Sequence, residues 1–218
     1  MEAPIHPTFF RPWSKFKNWR DKMSEKKITL IFGKRGTGKS YLANKLIGQE
    51  KRLLIFDTLG EYNNGVIFDA EDPERFLEFW RHVYRGNFRL VYRPLNPEAE
   101  IDDIAELVFA LGNMTFLVEE VDCYCTSWQI SDAFAHIIQR GRHKDISLIG
   151  VTQRPFGIHR LLTSQAKEIY IFGTNEPRDR EYLKLLLGEQ IEAKLDQLQQ
   201  YQYVHWQEGN SEFEIGKA

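Results

Sequence analysis

The stretch KITLIFGKRGTGKSYLANKLI, residues 27–47, changes its character halfway along. It opens as an apolar, β-branched run of the kind that fills a strand buried on both faces. It closes with YLANKLI, a helical pattern. Between them Gly33, Lys34, Arg35, Gly36, Thr37, Gly38, Lys39 and Ser40 form a complete G-x-x-x-x-G-K-[ST] sequence, set in the strand-to-helix frame the motif requires. Glycines let successive backbone N–H groups turn inward around phosphate oxygens, and the start of the helix adds its partial positive charge. Lys39 is then expected to reach the outer phosphates of a nucleotide and the Ser40 hydroxyl to ligate Mg²⁺, with Tyr41 completing the binding run.

Outward from this stretch, further apolar runs predict strands at 52–57 (RLLIFD), 88–93 (FRLVYR), 115–119 (TFLVE), 146–151 (ISLIGV) and 167–172 (KEIYIF). Helical-period segments occupy 39–49, 73–84, 98–111, 129–140 and 177–187. The alternation predicts an α/β fold with a mainly parallel central sheet flanked by helices. A last helix near 189–198 leads into YQYVHW and EFEI, which read as a short hairpin around EGNS. The expected organisation is a basic aromatic arm over 1–26, a core over 27–175, and a helical and hairpin cap over 176–218.

The chain has 218 residues, 42% of them apolar, and a net charge of −2. No apolar run approaches the ~18 residues of a membrane span and no secretory signal opens the sequence, which predicts a location inside a cell. The near-neutral balance excludes a global basic field, so any nucleic-acid path must be a local stripe. Residues 1–27 hold seven Lys and Arg against three acidic residues. There Phe9, Trp13, Phe16 and Arg20 fall at helical spacing, a pattern that fits contact with a neighbouring subunit, a capsid vertex, an anionic membrane, DNA phosphates or simply the core. Cys123 and Cys125 are too close for an ordinary disulfide and are read as small buried thiols.

TFLVEEVD, residues 115–122, ends an apolar strand on two carboxylates. In an open parallel sheet ligands sit beyond the carboxyl ends of the strands, so Glu119 and Glu120 are expected to face the nucleotide. Glu119 falls where such enzymes hold Mg²⁺, one methylene longer than the usual Asp; Glu120 falls where they polarise the attacking water. ISLIGVTQRP ends another strand on Gln153, a candidate for sensing the γ-phosphate, or else a plain polar exit from the strand. QRGRHKD supplies Arg140 and Arg142 at a helix end, where a cation is favourable by about 0.3 to 1 kcal/mol with no catalytic duty.

Taken in order, GKRGTGKS, LLIFDTLGEY, FLVEEVD, RGRHK and LIGVTQRP resemble the HerA/FtsK superfamily of P-loop DNA-pumping ATPases, over roughly residues 28–206. The resemblance implies a P-loop NTPase core of the ASCE, RecA-like kind. It implies ATP with Mg²⁺ at subunit boundaries and a homo-oligomeric, usually hexameric ring around double-stranded DNA. It puts the strand bearing Gln153 between the P-loop strand and the acidic strand. It makes Arg142, with Arg140 in reserve, the candidate arginine finger reaching a neighbour's γ-phosphate. Asp57 and Glu61 match the family's D-x-x-x-E-[YF] element, in a catalytic or a loop-ordering role. The short chain looks most like genome-packaging ATPases of tailless double-stranded DNA viruses, placed in the host cytoplasm or the virion. An export or morphogenesis ATPase that ignores DNA, and a non-motor nucleotide-binding adaptor, stay open at this point.

Overall fold

The run Ile28–Phe32 becomes β1, buried at all five positions. The computed structural model describes residues 26–218, and the amphipathic pattern expected near Phe9–Arg20 lies outside the described residues. Strands β2 (Arg52–Phe56), β3 (Val66–Asp69), β4 (Phe88–Arg93), β5 (Met114–Val118), β6 (Ile146–Thr152), β7 (Ala166–Phe172), β8 (Gln202–Gln207) and β9 (Glu214–Lys217) join β1 in one sheet. Its order is β3-β4-β2-β5-β6-β1-β7-β8-β9. The pairings from β3 through β7 are parallel, while β7–β8 and β8–β9 are antiparallel. As the resemblance implies, β6 lies between β1 and β5.

The helices are α1 (Lys39–Leu46), α2 (Pro73–Val83), α3 (Pro97–Leu111), α4 (Asp132–Arg140), α5 (Arg160–Ser164), α6 (Pro177–Leu187) and α7 (Gln190–Asp196). Alternate strand residues face opposite sides of the sheet, because side chains in a strand repeat every two residues. Leu30, Phe32, Phe56, Phe116, Val118 and Ile171 point to one side, where Trp80 of α2, Val108 of α3, Phe134 of α4, Leu183 of α6 and Leu195 of α7 pack on them. Ile31, Ile55, Leu117, Val151 and Phe172 point to the other, where Leu42 and Ala43 of α1 are buried. Burying a Leu or Phe side chain contributes about 1.5–3 kcal/mol, so both faces of the sheet stabilise the frame that holds the site.

Three elements differ from the sequence expectation, the first being α5, a five-residue helix too short to show a helical period in the sequence. The edge strand β3 has four residues and only Phe68 among them is buried, too short a signal for a period of two to register. Residues 176–218 add α6 and α7, but their hairpin does not lie on the core as a cap; it continues the sheet, with Ile171 opposite Val204. Cys125 is buried, whereas Cys123 is exposed, because the single 3-10 turn Val121–Cys123 after β5 turns Val121 inward instead.

Candidate active site

All the parallel strands end on one edge of the sheet, and that edge holds a cavity of about 640 Å³. The loop from Gly33 to Gly38 borders it through Arg35, Gly36 and Gly38. Gly33 has no room for a side chain: a Cβ there would lie 2.6 Å from Phe172 Cβ and 2.8 Å from Thr37 Oγ1. Gly36 and Gly38 adopt φ of 77° and 105°, in the left-handed region where a Cβ is strained. Gly38 then starts α1 without any side-chain cap, so the first N–H groups of the helix remain available to an anion.

Arg35, Gly36, Gly38, Lys39, Ser40 and Tyr41 line the cavity from this side, and Glu119, Glu120 and Gln153 line it from the strand ends. Lys34 and Thr37 face a neighbouring hollow, with Thr37 Oγ1 donating to the Lys34 carbonyl at 2.8 Å. Lys39 Nζ donates to the same carbonyl at 3.2 Å. Burial holds the Lys39 ammonium below its ordinary pKa, while Glu119, Glu61, Glu120 and Asp122 act to raise it. Four carboxylates therefore act on the one ammonium, although among the described residues no group of three or more acidic, His or Cys side chains is arranged to hold a metal ion by itself.

Glu119 follows β5 directly and is 2% exposed. Burial pushes its carboxyl up to about 7, against a 2.5 Å hydrogen bond donated by the Tyr62 hydroxyl, which pulls it down. Glu120 sits at φ 49°, a left-handed conformation that turns its side chain toward β6, and Gln153 Nε2 donates to Glu120 Oε1 at 3.3 Å. The two strand ends are tied again next door, where Thr152 Oγ1 donates to Asp122 Oδ1 at 2.5 Å.

The loop after β2 contributes more than its sequence suggests. Asp57, 1% exposed, accepts the backbone N–H groups of Glu61 at 3.0 Å and Tyr62 at 3.1 Å, and pairs with Arg93 at 3.5 Å. Held this way, the loop delivers Glu61 to the Ser40 hydroxyl, which donates to it, and Tyr62 to Glu119. Asp57 thus orders the loop, and Glu61 reaches the cavity itself. Tyr62 is the aromatic that closes the D-x-x-x-E-[YF] element, although its bond to Glu119 is not legible there; Tyr201 carries no local sequence signal.

Arg140 and Arg142 are not brought into the cavity. Arg140 ends α4 and Arg142 lies in the 3-10 turn Gly141–Lys144, ahead of β6, whereas Gln153 lies beyond its far end. Seven residues at about 3.3 Å each separate the two edges by roughly 20 Å. Neither arginine serves the site of its own chain from there.

No family model matches the chain. It is 24% identical over 165 residues to the DNA packaging ATPase P9 of Enterobacteria phage PRD1, covering 72% of this chain and 69% of that protein. The genome packaging NTPase B204 from Sulfolobus turreted icosahedral virus 2, in complex with ATP-gammaS, superposes with a TM-score of 0.71 at 20% identity, over 89% of this chain and 98% of that one. VirB4 of Thermoanaerobacter pseudethanolicus superposes with a TM-score of 0.59 at 13% identity, over 87% and 88%. The fold is that of a P-loop NTPase.

Proposed function

We propose that this chain hydrolyses ATP to drive double-stranded DNA into a viral capsid. The observation that carries the reading is the convergence of Lys39, Ser40, Glu119, Glu120 and Gln153 on one cavity at the carboxyl edge of the sheet. The likeness to a packaging ATPase from a phage and to a packaging NTPase from an archaeal virus supports it.

In this reading the loop from Gly33 to Tyr41 holds the triphosphate and Lys39 neutralises its outer phosphates. Ser40 and Glu119 offer hard oxygens to Mg²⁺, and Glu61, already on the Ser40 hydroxyl, adds a third. When bound, Mg²⁺ offsets charge on the β- and γ-phosphates. Glu120 accepts the proton of the attacking water, and Gln153, hydrogen-bonded to it, orients that water toward the phosphorus. Arg142, with Arg140 behind it, meets the γ-phosphate of the adjacent subunit, so that hydrolysis depends on a homo-oligomeric ring. The arm before residue 27 makes the capsid or membrane contact. Among the described residues no helix is long and apolar enough to cross a membrane, and the reading places the protein in the host cytoplasm or on the virion.

The test is the ATP turnover of the purified chain with duplex DNA, single-stranded DNA, RNA or no polymer. Stimulation by duplex DNA, with affinity falling steeply as salt rises, is the expected result. Turnover indifferent to every polymer would replace the packaging motor with an export or assembly ATPase.

A further inference from the structure

The order of the sheet gives a bound triphosphate a direction. To one side of β1 lie β6 and β5, which bring Gln153, Glu120 and Glu119 to the cavity; to the other lie β7 and β8. A triphosphate whose γ end faces Glu120 and Gln153 must run its α end, and the nucleoside attached to it, the opposite way. That path ends at Tyr201, immediately before β8.

Tyr201 has three features that its place in the chain does not demand. Its side chain is 45% exposed although it lines the same cavity as Lys39 and Ser40. Its φ is 64°, a conformation in which a bulky residue is a genuine outlier and which tends to persist where function requires it. Its ring stands against the P-loop itself, with Cδ1 3.6 Å from where a Cβ on Gly38 would sit. A backbone hydrogen bond from Ala218 N–H to the Tyr201 carbonyl, 3.0 Å, holds it there.

Tyr201 also borders a second hollow of about 280 Å³, whose lining includes the amide-bearing residues Asn175, Gln199, Gln200 and Gln202. An aromatic face offers a base a stacking surface, and amides offer both donors and acceptors to its edge. We propose that Tyr201 is the stacking platform for the purine of the bound nucleotide and that these amides read the edge of the ring. The proposal rests on the nucleotide-site reading above. It also explains why the C-terminal hairpin extends the sheet past β7, since that extension carries an aromatic side chain to the nucleoside end of the P-loop.

Calorimetric titration of the full chain with Mg·ATP and, separately, with inorganic tripolyphosphate tests this in the parent, Tyr201→Ala, Tyr201→Phe and Tyr201→Gly. Tyr201→Ala and Tyr201→Gly should each weaken ATP binding roughly ten- to hundredfold, and Tyr201→Phe should stay within about threefold, because the flat ring and not the hydroxyl is the platform. Tripolyphosphate should bind all four proteins alike. Tyr201→Gly relieves the backbone and should not lower the melting temperature, which separates loss of the ring from loss of the fold. Unchanged ATP affinity in Tyr201→Ala, or equal losses for ATP and tripolyphosphate, would overturn the proposal. A parent that binds tripolyphosphate as tightly as ATP would refute the base platform and leave the phosphate site standing; a parent that binds neither would remove the nucleotide site itself.

Discussion

The two flanks of the P-loop are built from opposite materials. Toward β6 and β5 lie Glu119, Glu120, Asp122 and Gln153, each carboxylate accepting from a neutral side chain: Glu119 from Tyr62, Asp122 from Thr152 and Glu120 from Gln153. Toward β7 and β8 it rests on rings: Phe172 beneath Gly33 and Gly38, and Tyr203 edge-on to Phe172 at 5.5 Å. Tyr170 extends this group, edge-on to Tyr203 at 5.3 Å. The aromatic flank is the more buried of the two, and on the acidic flank only Glu119 is buried while Glu120, Asp122 and Gln153 are half-buried. An aromatic wall is rigid and indifferent to charge, so it sets the position of the loop. A buried carboxylate such as Glu119 is costly to maintain unless a partner, a cation or a reaction uses it, and its gathering with Glu61, Glu120 and Asp122 around Lys39 marks where the chemistry is.

The greatest loss of activity is expected from outside both flanks. Arg142→Ala should bind ATP nearly as well as the parent but turn it over about 10³- to 10⁵-fold more slowly in the assembled ring. Mixing it with Glu120→Gln protein should restore part of the activity, read as phosphate release. A loss of only a few-fold would make Arg142 a helix-end cation, and the same result in Arg140→Ala would mean that the site needs neither arginine from a neighbour.

On the acidic flank, Glu120→Gln keeps the size of the side chain and removes the proton acceptor. Hydrolysis should fall by about 10²- to 10⁴-fold while nucleotide still binds and the melting temperature barely moves. Turnover at the parental rate would move the base to another carboxylate lining the cavity, Glu119 or Glu61.

The aromatic flank should answer in stability first. Phe172→Ala empties a site that is 1% exposed and should cost about 3–5 kcal/mol, measured by chemical denaturation. Folded protein should retain measurable turnover. If Phe172→Ala stayed stable yet was as inactive as Glu120→Gln, the division between a supporting and a reacting flank would collapse.

A milder change joins the two kinds of role. Tyr62→Phe removes the hydroxyl that donates to Glu119 and leaves that buried carboxyl short of a partner, destabilising the protein by about 1–3 kcal/mol. Because Glu61 keeps its own anchor on Asp57, nucleotide affinity should change by less than about tenfold, or about 1.4 kcal/mol. A complete loss of binding would show that the loop after β2 holds the nucleotide directly.

Much of the molecule is legible in the residues because it is local. The P-loop needs a strand, glycines with positive φ, and a helix start, all within 21 residues of chain. Glu119 and Gln153 each end an apolar run, so their position at the carboxyl edge follows once the sheet is parallel. The amphipathic helices α2 and α4 also carry their own start signals, the side chains of Asp72 and Ser131 accepting from the N–H groups of Arg75 and Phe134. β3 is not legible, because four residues on an edge, one of them buried, carry too little hydrophobic contrast to outweigh a loop reading.

Neighbours a few residues apart are enough to specify the phosphate-binding loop, the strands that end on Glu119, Glu120 and Gln153, and the α/β class. They do not specify that Glu61 touches Ser40, that Tyr62 reaches Glu119 across 57 residues, or that Tyr201 stands beside Gly38. Those contacts exist because the folded sheet brings distant strand ends to one edge and because β8 pairs with β7 there. Strand pairing of that kind is set by burial summed over the whole sheet, and no short stretch of chain contains it.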